Sequence, residues 1–149
     1  MPISPEIKAK MMRFYSEDHL RVMELLQDLS FAVSSVNPKI FKGITLNNFE
    51  NNDFYVEWLP IDGYLYQNEV LAKMEEQNKV PVTPVEFIGN LSKMDDLGPQ
   101  TRICLFQFEK YGWAHLAANG WIQKTICSIL SGDGFGPNCL FAVKSKNAP

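Results

Sequence analysis

Residues 113–130 read WAHLAANGWIQKTICSIL, and the fold turns on whether they make a helix or a hairpin. Trp113, Leu116, Ala117 and Trp121 suit one face of a helix, whereas Asn119-Gly120 is the strongest two-residue hairpin signal and TICSI favours strand. The reading adopted is a helix broken at Gly120. Just upstream, TRICLFQF (101–108) is a strand buried on both sides, with Cys104, Phe106 and Phe108 on one face and Ile103 and Leu105 on the other. Just downstream, CLFAVKS is the last strand, and residues 144–149 are expected to be a loose tail.

Further outward the signals are capping residues and periodicity. Thr83-Pro84-Val85-Glu86 is a capping box with proline at the first helical position, and Val82 and Phe87 occupy the two positions of a hydrophobic staple. The helix it opens is expected to run toward Gly98. Residues 67–78 read as a short helix with Glu69 and Lys73 four apart. KIFKGITL (39–46) and DFYVEWL (53–59) are rich in β-branched and aromatic residues, which predicts a hairpin joined by NNFENN. In its second strand Phe54, Val56 and Trp58 share the core face, opposite Tyr55 and Glu57. Ser16-Glu17-Asp18 starts a helix whose apolar stripe (Val22, Leu25, Leu26, Leu29, Val33, Val36) runs to Asn37-Pro38. Ser4-Pro5-Glu6 starts another before it. Together these elements predict one α+β domain over residues 1–149, with N-terminal helices and two or three further helices packed on one face of a mostly antiparallel sheet.

A chain of 149 residues with 46% apolar content can bury a core without disulfides or a structural metal. Its net charge of −3 provides no positive field for nucleic acid or an anionic membrane, so neither is expected as a partner. The first residues lack the apolar core of a signal peptide, and no apolar run approaches the roughly 20 residues that cross a bilayer. The expected compartment is cytoplasmic. Cys104, Cys127 and Cys139 match neither a disulfide framework nor a CxxC motif and read as reduced thiols. With only His19 and His115 and no short-spaced ligand cluster, no metal and no cofactor is expected.

Two constellations have chemistry to offer. LSGDGFGPNCLF (130–141) puts Gly132, Gly134 and Gly136 two apart, but a strand follows instead of a helix, so the run reads as a connection and not as a phosphate loop. Cys139 at its end is a candidate nucleophile and His115 a candidate base, with the glycine loop offering donors to an oxyanion. The second constellation is electrostatic. Residues 1–46 carry +1, residues 47–77 carry −6 and residues 78–149 carry +2. Within the acidic block, Asp53, Tyr55, Glu57, Asp62, Tyr64 and Tyr66 interleave carboxylates with tyrosines, a surface suited to Arg and Lys side chains.

No stretch carries the signature of a nameable family. The leading expectation is therefore a small non-enzymatic interaction protein, of the inhibitor, immunity or adaptor kind, that binds a basic protein surface through residues 53–66. A homodimer is a second way to use an exposed apolar strip. The alternatives are a cysteine-nucleophile enzyme using Cys139 and His115 for thiol acyl transfer or hydrolysis, and a binder of small apolar ligands motivated by the 12% aromatic content.

Overall fold

Residues 113–130 supply two strands, Trp113–Asn119 and Thr125–Ile129, paired antiparallel with Asn119 opposite Thr125. The hairpin wins over the helical spacing, but not as a two-residue turn at Asn119-Gly120, since Asn119 is itself paired in β6. Trp113 and Ala117 pack toward one side of the sheet while Ala114, Leu116 and Ala118 pack toward the other. With both faces apolar, the two-residue alternation that marks a strand is invisible in the sequence.

The computed structural model describes residues 4–11, 16–33, 36–50, 54–108, 112–120, 124–129 and 134–147. In chain order they form α1 (Pro5–Met11), α2 (Glu17–Asp28), β1 (Ala32–Val33), a 3-10 helix (Pro38–Phe41), α3 (Leu46–Glu50), β2 (Glu57–Pro60), β3 (Leu65–Tyr66) and α4 (Gln67–Glu76). They continue with β4 (Lys79–Pro81), α5 (Pro84–Ser92), β5 (Thr101–Gln107), β6 (Trp113–Asn119), β7 (Thr125–Ile129), β8 (Gly134–Phe135) and β9 (Cys139–Ser145).

The expectation of an α+β domain on a mostly antiparallel sheet is corrected to a single mixed α/β domain with no closed barrel. Its main sheet has seven strands, ordered β1-β7-β6-β5-β9-β2, with β4 added along β9; β3 and β8 form a separate ribbon. Two junctions are parallel, β1 with β7 and β5 with β9. The second lies at the centre: after the β6–β7 hairpin the chain returns beside β5 instead of extending the meander. Nor do the helices share one face. α2, α3 and α5 bury Leu26, Phe49, Phe87, Ile88 and Leu91 on one side with Cys104, Phe106 and Ala142, whereas α4 buries Val70 and Met74 on the other with Ile103, Leu105, Phe141 and Val143. The alternation read for β5 holds residue by residue.

The hairpin expected over 39–59 is absent. Asn37 Oδ1 accepts from the Lys39 N–H at 3.0 Å and Pro38 follows, so the segment opens as a 3-10 turn; Gly43, at φ +78°, then redirects the chain into α3. Its aromatics still reach the core, Phe41 meeting Phe49 edge to face at 6.1 Å. The second strand does form, and Val56 and Trp58 pack on the larger core cluster as alternation requires. Its partner, however, is β9.

The helix expected to reach residue 36 ends at Asp28, because Ser30 takes a left-handed conformation at φ +72° and turns the chain into β1. Val33 in β1 and Val36 beyond it still pack on the same core, so the apolar stripe runs past the end of the helix. α5 begins where the capping box predicts, with Glu86 N–H donating to Thr83 Oγ1 at 3.2 Å, but it stops at Ser92. Burial works against the Glu86 charge, yet the Thr83 N–H, the Lys144 ammonium at 3.2 Å and the Thr83 hydroxyl outweigh it and lower its pKa. Residues 144 and 145, expected in a loose tail, belong to β9 and pair with Val80 and Lys79.

Candidate functional site

β2 leads out of the sheet through Leu59 and Ile61, both buried, to Asp62 and Gly63 at the surface. Gly63 sits at φ +82°, a turn that a side chain would strain. Beyond it Leu65 packs inward, so the neighbours Tyr64 and Tyr66 point outward by the period of two. β3 pairs with β8 in the register Leu65 to Phe135 and Tyr66 to Gly134. The ribbon is fastened from below: Phe135 is buried and meets Phe141 and His115 edge to face, each at 5.1 Å. From above, the Tyr64 ring lies on Gly134, where any side chain would collide with it. Tyr64 and Tyr66 meet edge to face at 6.0 Å and are still 63% and 60% exposed.

α4 starts directly after Tyr66, whose N–H donates to Glu69 Oε1 at 3.0 Å. Glu69 and Glu76 are two helical turns apart and share a face. With Asp62 and Leu65 they line a shallow cavity of about 440 Å³ whose one cation among the described residues is Lys73. No ion pair joins Glu69 to Lys73 among the described residues, despite their helical spacing. The cavity therefore presents three carboxylates against one ammonium, next to two exposed phenol rings.

Of the six residues expected to act together, the five that are described do not form one patch. Tyr55 is 68% exposed, but its hydroxyl donates to Glu57 Oε1 at 2.9 Å and Glu57 is ion-paired with Lys79. The Lys79 bond, then the Tyr55 bond, lowers the Glu57 pKa; the same carboxylate raises that of Tyr55. This end of β2 is neutralised within the chain. It also lies at the opposite end of β2 from Asp62, five residues away along the chain. Asp53 lies outside the described residues. Glu69 and Glu76 were missed in the sequence because the site was bounded at residue 66; their spacing of seven on a predicted helix was the available signal.

The register also separates the candidate nucleophile from the candidate base. Cys139 lies opposite Thr101, and His115 lies opposite Leu105 four residues further along β5. That is roughly 13 Å along the strands and roughly 10 Å across two strand spacings. His115 is buried against Phe135. Burial raises the pKa of Cys139, partly offset by a hydrogen bond with the Gly136 backbone; the same holds for Cys127 with Ala117, and burial followed by the Glu86 charge pushes Cys104 furthest up. In the folded protein all three thiols are expected to react with iodoacetamide at pH 7.5 more slowly than in the urea-unfolded chain, Cys104 slowest. Peptide mapping of a time course checks this; a Cys139 faster folded than unfolded would mean an activated thiol. Of the glycine run, Gly134 belongs to β8 and the turn at Pro137 and Asn138 leads into β9; Gly132 lies outside the described residues.

Among the described residues no group of three His, Cys, Asp or Glu side chains is placed to hold a metal, and no helix is long and apolar enough to cross a membrane. No protein-family model, curated protein or solved structure matches the chain.

Proposed function

We propose that the protein is an interaction module that binds a basic protein surface through Tyr64, Tyr66, Asp62 and the acidic cavity beside α4. The observation that carries this reading is the pair Tyr64 and Tyr66, held edge to face at 6.0 Å on a pinned ribbon and yet mostly exposed. Large apolar rings already fixed in position lose little side-chain freedom on binding, so their burial turns into affinity efficiently. Charge selects the partner. An Arg or Lys side chain laid across the rings gains cation–π attraction, and its neighbour can enter the cavity between Asp62, Glu69 and Glu76. Tyr55 and Glu57, satisfied by Lys79, contribute little.

The test is a capture experiment on extract from the source cells, followed by affinity measurement with the purified partner. Tyr64→Ala/Tyr66→Ala is expected to weaken binding about 30-fold or more, the scale of a hot spot. Asp62→Lys/Glu76→Lys should weaken it further as well as abolish its sensitivity to salt, while Tyr55→Ala leaves affinity within about twofold. A partner held equally by wild type and the double tyrosine variant would overturn the reading.

A further inference from the structure

The central sheet parts along one edge of β9. β5 pairs with residues 139–141 of that edge and β4 with residues 143–145, and the Val82 N–H donates to Ala142 O at 3.3 Å where the partners change. In β4 the bonds to β9 are made by even-numbered residues, since Val82 donates to Ala142 and Asn78 accepts from Lys146 at 3.0 Å. The backbone of Pro81 therefore faces away from β9, toward β5, and proline has no N–H to offer. Three residues later Pro84 repeats the block. The sheet cannot close between β4 and the far half of β5, and a crevice of about 480 Å³ remains, within the usual range of small-ligand sites.

Ile40, Val82, Leu105, Phe106, Phe108 and Trp113 make most of its lining; among the described residues its one charged side chain is Lys39. Lys39 also lines a second cavity of about 290 Å³, together with Lys42, Arg21 and, as the one carboxylate among the described residues, Asp18. In a chain of net charge −3, Lys39 thus lines both a mostly apolar crevice and a locally cationic pocket. An apolar body alone would leave the second cavity unused, and a bare anion would leave the first.

We infer that the two cavities bind one amphipathic anion, with an acyl or aryl body in the crevice and a carboxylate or phosphate head against Lys39, Lys42 and Arg21. This site is separate from the tyrosine surface and stands or falls independently of it.

The experiment titrates octanoate and octyl phosphate into the ¹⁵N-labelled full-length protein, with octan-1-ol as the uncharged body and inorganic phosphate as the bare head. Saturable shifts confined to the amides of residues 39–42, 82–83 and 105–108 are expected, with one or both anions binding about fivefold or more tighter than the alcohol. The tighter anion identifies the head. Lys39→Met/Lys42→Met should bring that ratio close to one without changing octan-1-ol affinity, and Ile40→Trp should block all three chains. A dispersed spectrum verifies that each variant is folded. Non-saturating shifts, shifts spread over the surface, an unchanged ratio in the lysine variant, or full affinity in folded Ile40→Trp would each overturn the inference.

Discussion

Phe135→Ala is expected to lower stability by about 3–5 kcal/mol and to release the tyrosine ribbon from the sheet. The ring is 6% exposed and bridges two layers, meeting Phe141 at 5.1 Å and His115 at 5.1 Å. Truncation removes this contact and leaves a cavity over β5 and β9. The effect on the ribbon follows from its size: β3 and β8 share only two residue pairs, far too few to stand without packing. With Phe135 gone, Tyr64 and Tyr66 lose their fixed spacing, and partner binding should fall with amide protection at residues 64–66. Urea unfolding and hydrogen exchange measure the two consequences. Phe135→Leu, which fills most of the space, should retain the ribbon and separates loss of anchoring from loss of fold. A stability change below about 1 kcal/mol on Phe135→Ala would mean that the ribbon is held elsewhere.

Lys124→Met should cost about 2–3 kcal/mol, although the residue is a half-buried lysine of a kind usually dismissed as solvated. Its ammonium donates to three carbonyls at the end of α5, those of Met94 at 2.7 Å, Leu91 at 3.1 Å and Ser92 at 3.5 Å, and lies over the Phe31 ring at 5.4 Å. A cation there adds a donor to carbonyls at the helix end, of which Leu91 O also accepts from the Met94 N–H at 3.1 Å, and complements the negative end of the dipole. Burial lowers the Lys124 pKa against the opposing pull of Asp95, which marks how far the ammonium has been drawn from water. Methionine preserves the stem's packing and removes only the charge and donors, so the loss reads the cap itself. For a domain of this length it corresponds to a fall in Tm of roughly 5–10 °C. A variant within about 0.5 kcal/mol of wild type would show that water replaces the ammonium at no cost.

Neither of these anchors has a sequence signature. Lys124 lies 30 residues from Met94 and Phe135 lies 70 from Leu65, and nothing local to either residue names its partner. What was legible is what short spacing controls. The capping box at Thr83 and Glu86 needs only neighbours three residues apart, and it forms as read. Whether Tyr64 and Tyr66 face solvent was not legible: alternation fixes only that they lie opposite Leu65, and it is the packing of Leu65 on the core that turns them outward. The segment from Ile40 to Phe49 shows the opposite case: Phe41 and Phe49 are buried, with Ile40, Ile44 and Leu46 packed partly buried against the same core, but a capped 3-10 turn and a short helix place them there instead of a strand.

By itself the sequence determined which faces are apolar, where α5 starts, that β5 is buried on both sides, and that the middle of the chain is acidic. Each of these is a local property, set by side-chain chemistry and the period of the backbone. Only the tertiary structure decided that β9 returns parallel to β5, that Glu57 is neutralised by Lys79 while Asp62 is left to face solvent, and that Cys139 and His115 stand apart. The physical reason is common to all three. Closing a longer loop costs little more than closing a short one, so strand partners and distant ion pairs are selected by how well whole apolar faces fit together, a property that no stretch of the chain carries alone.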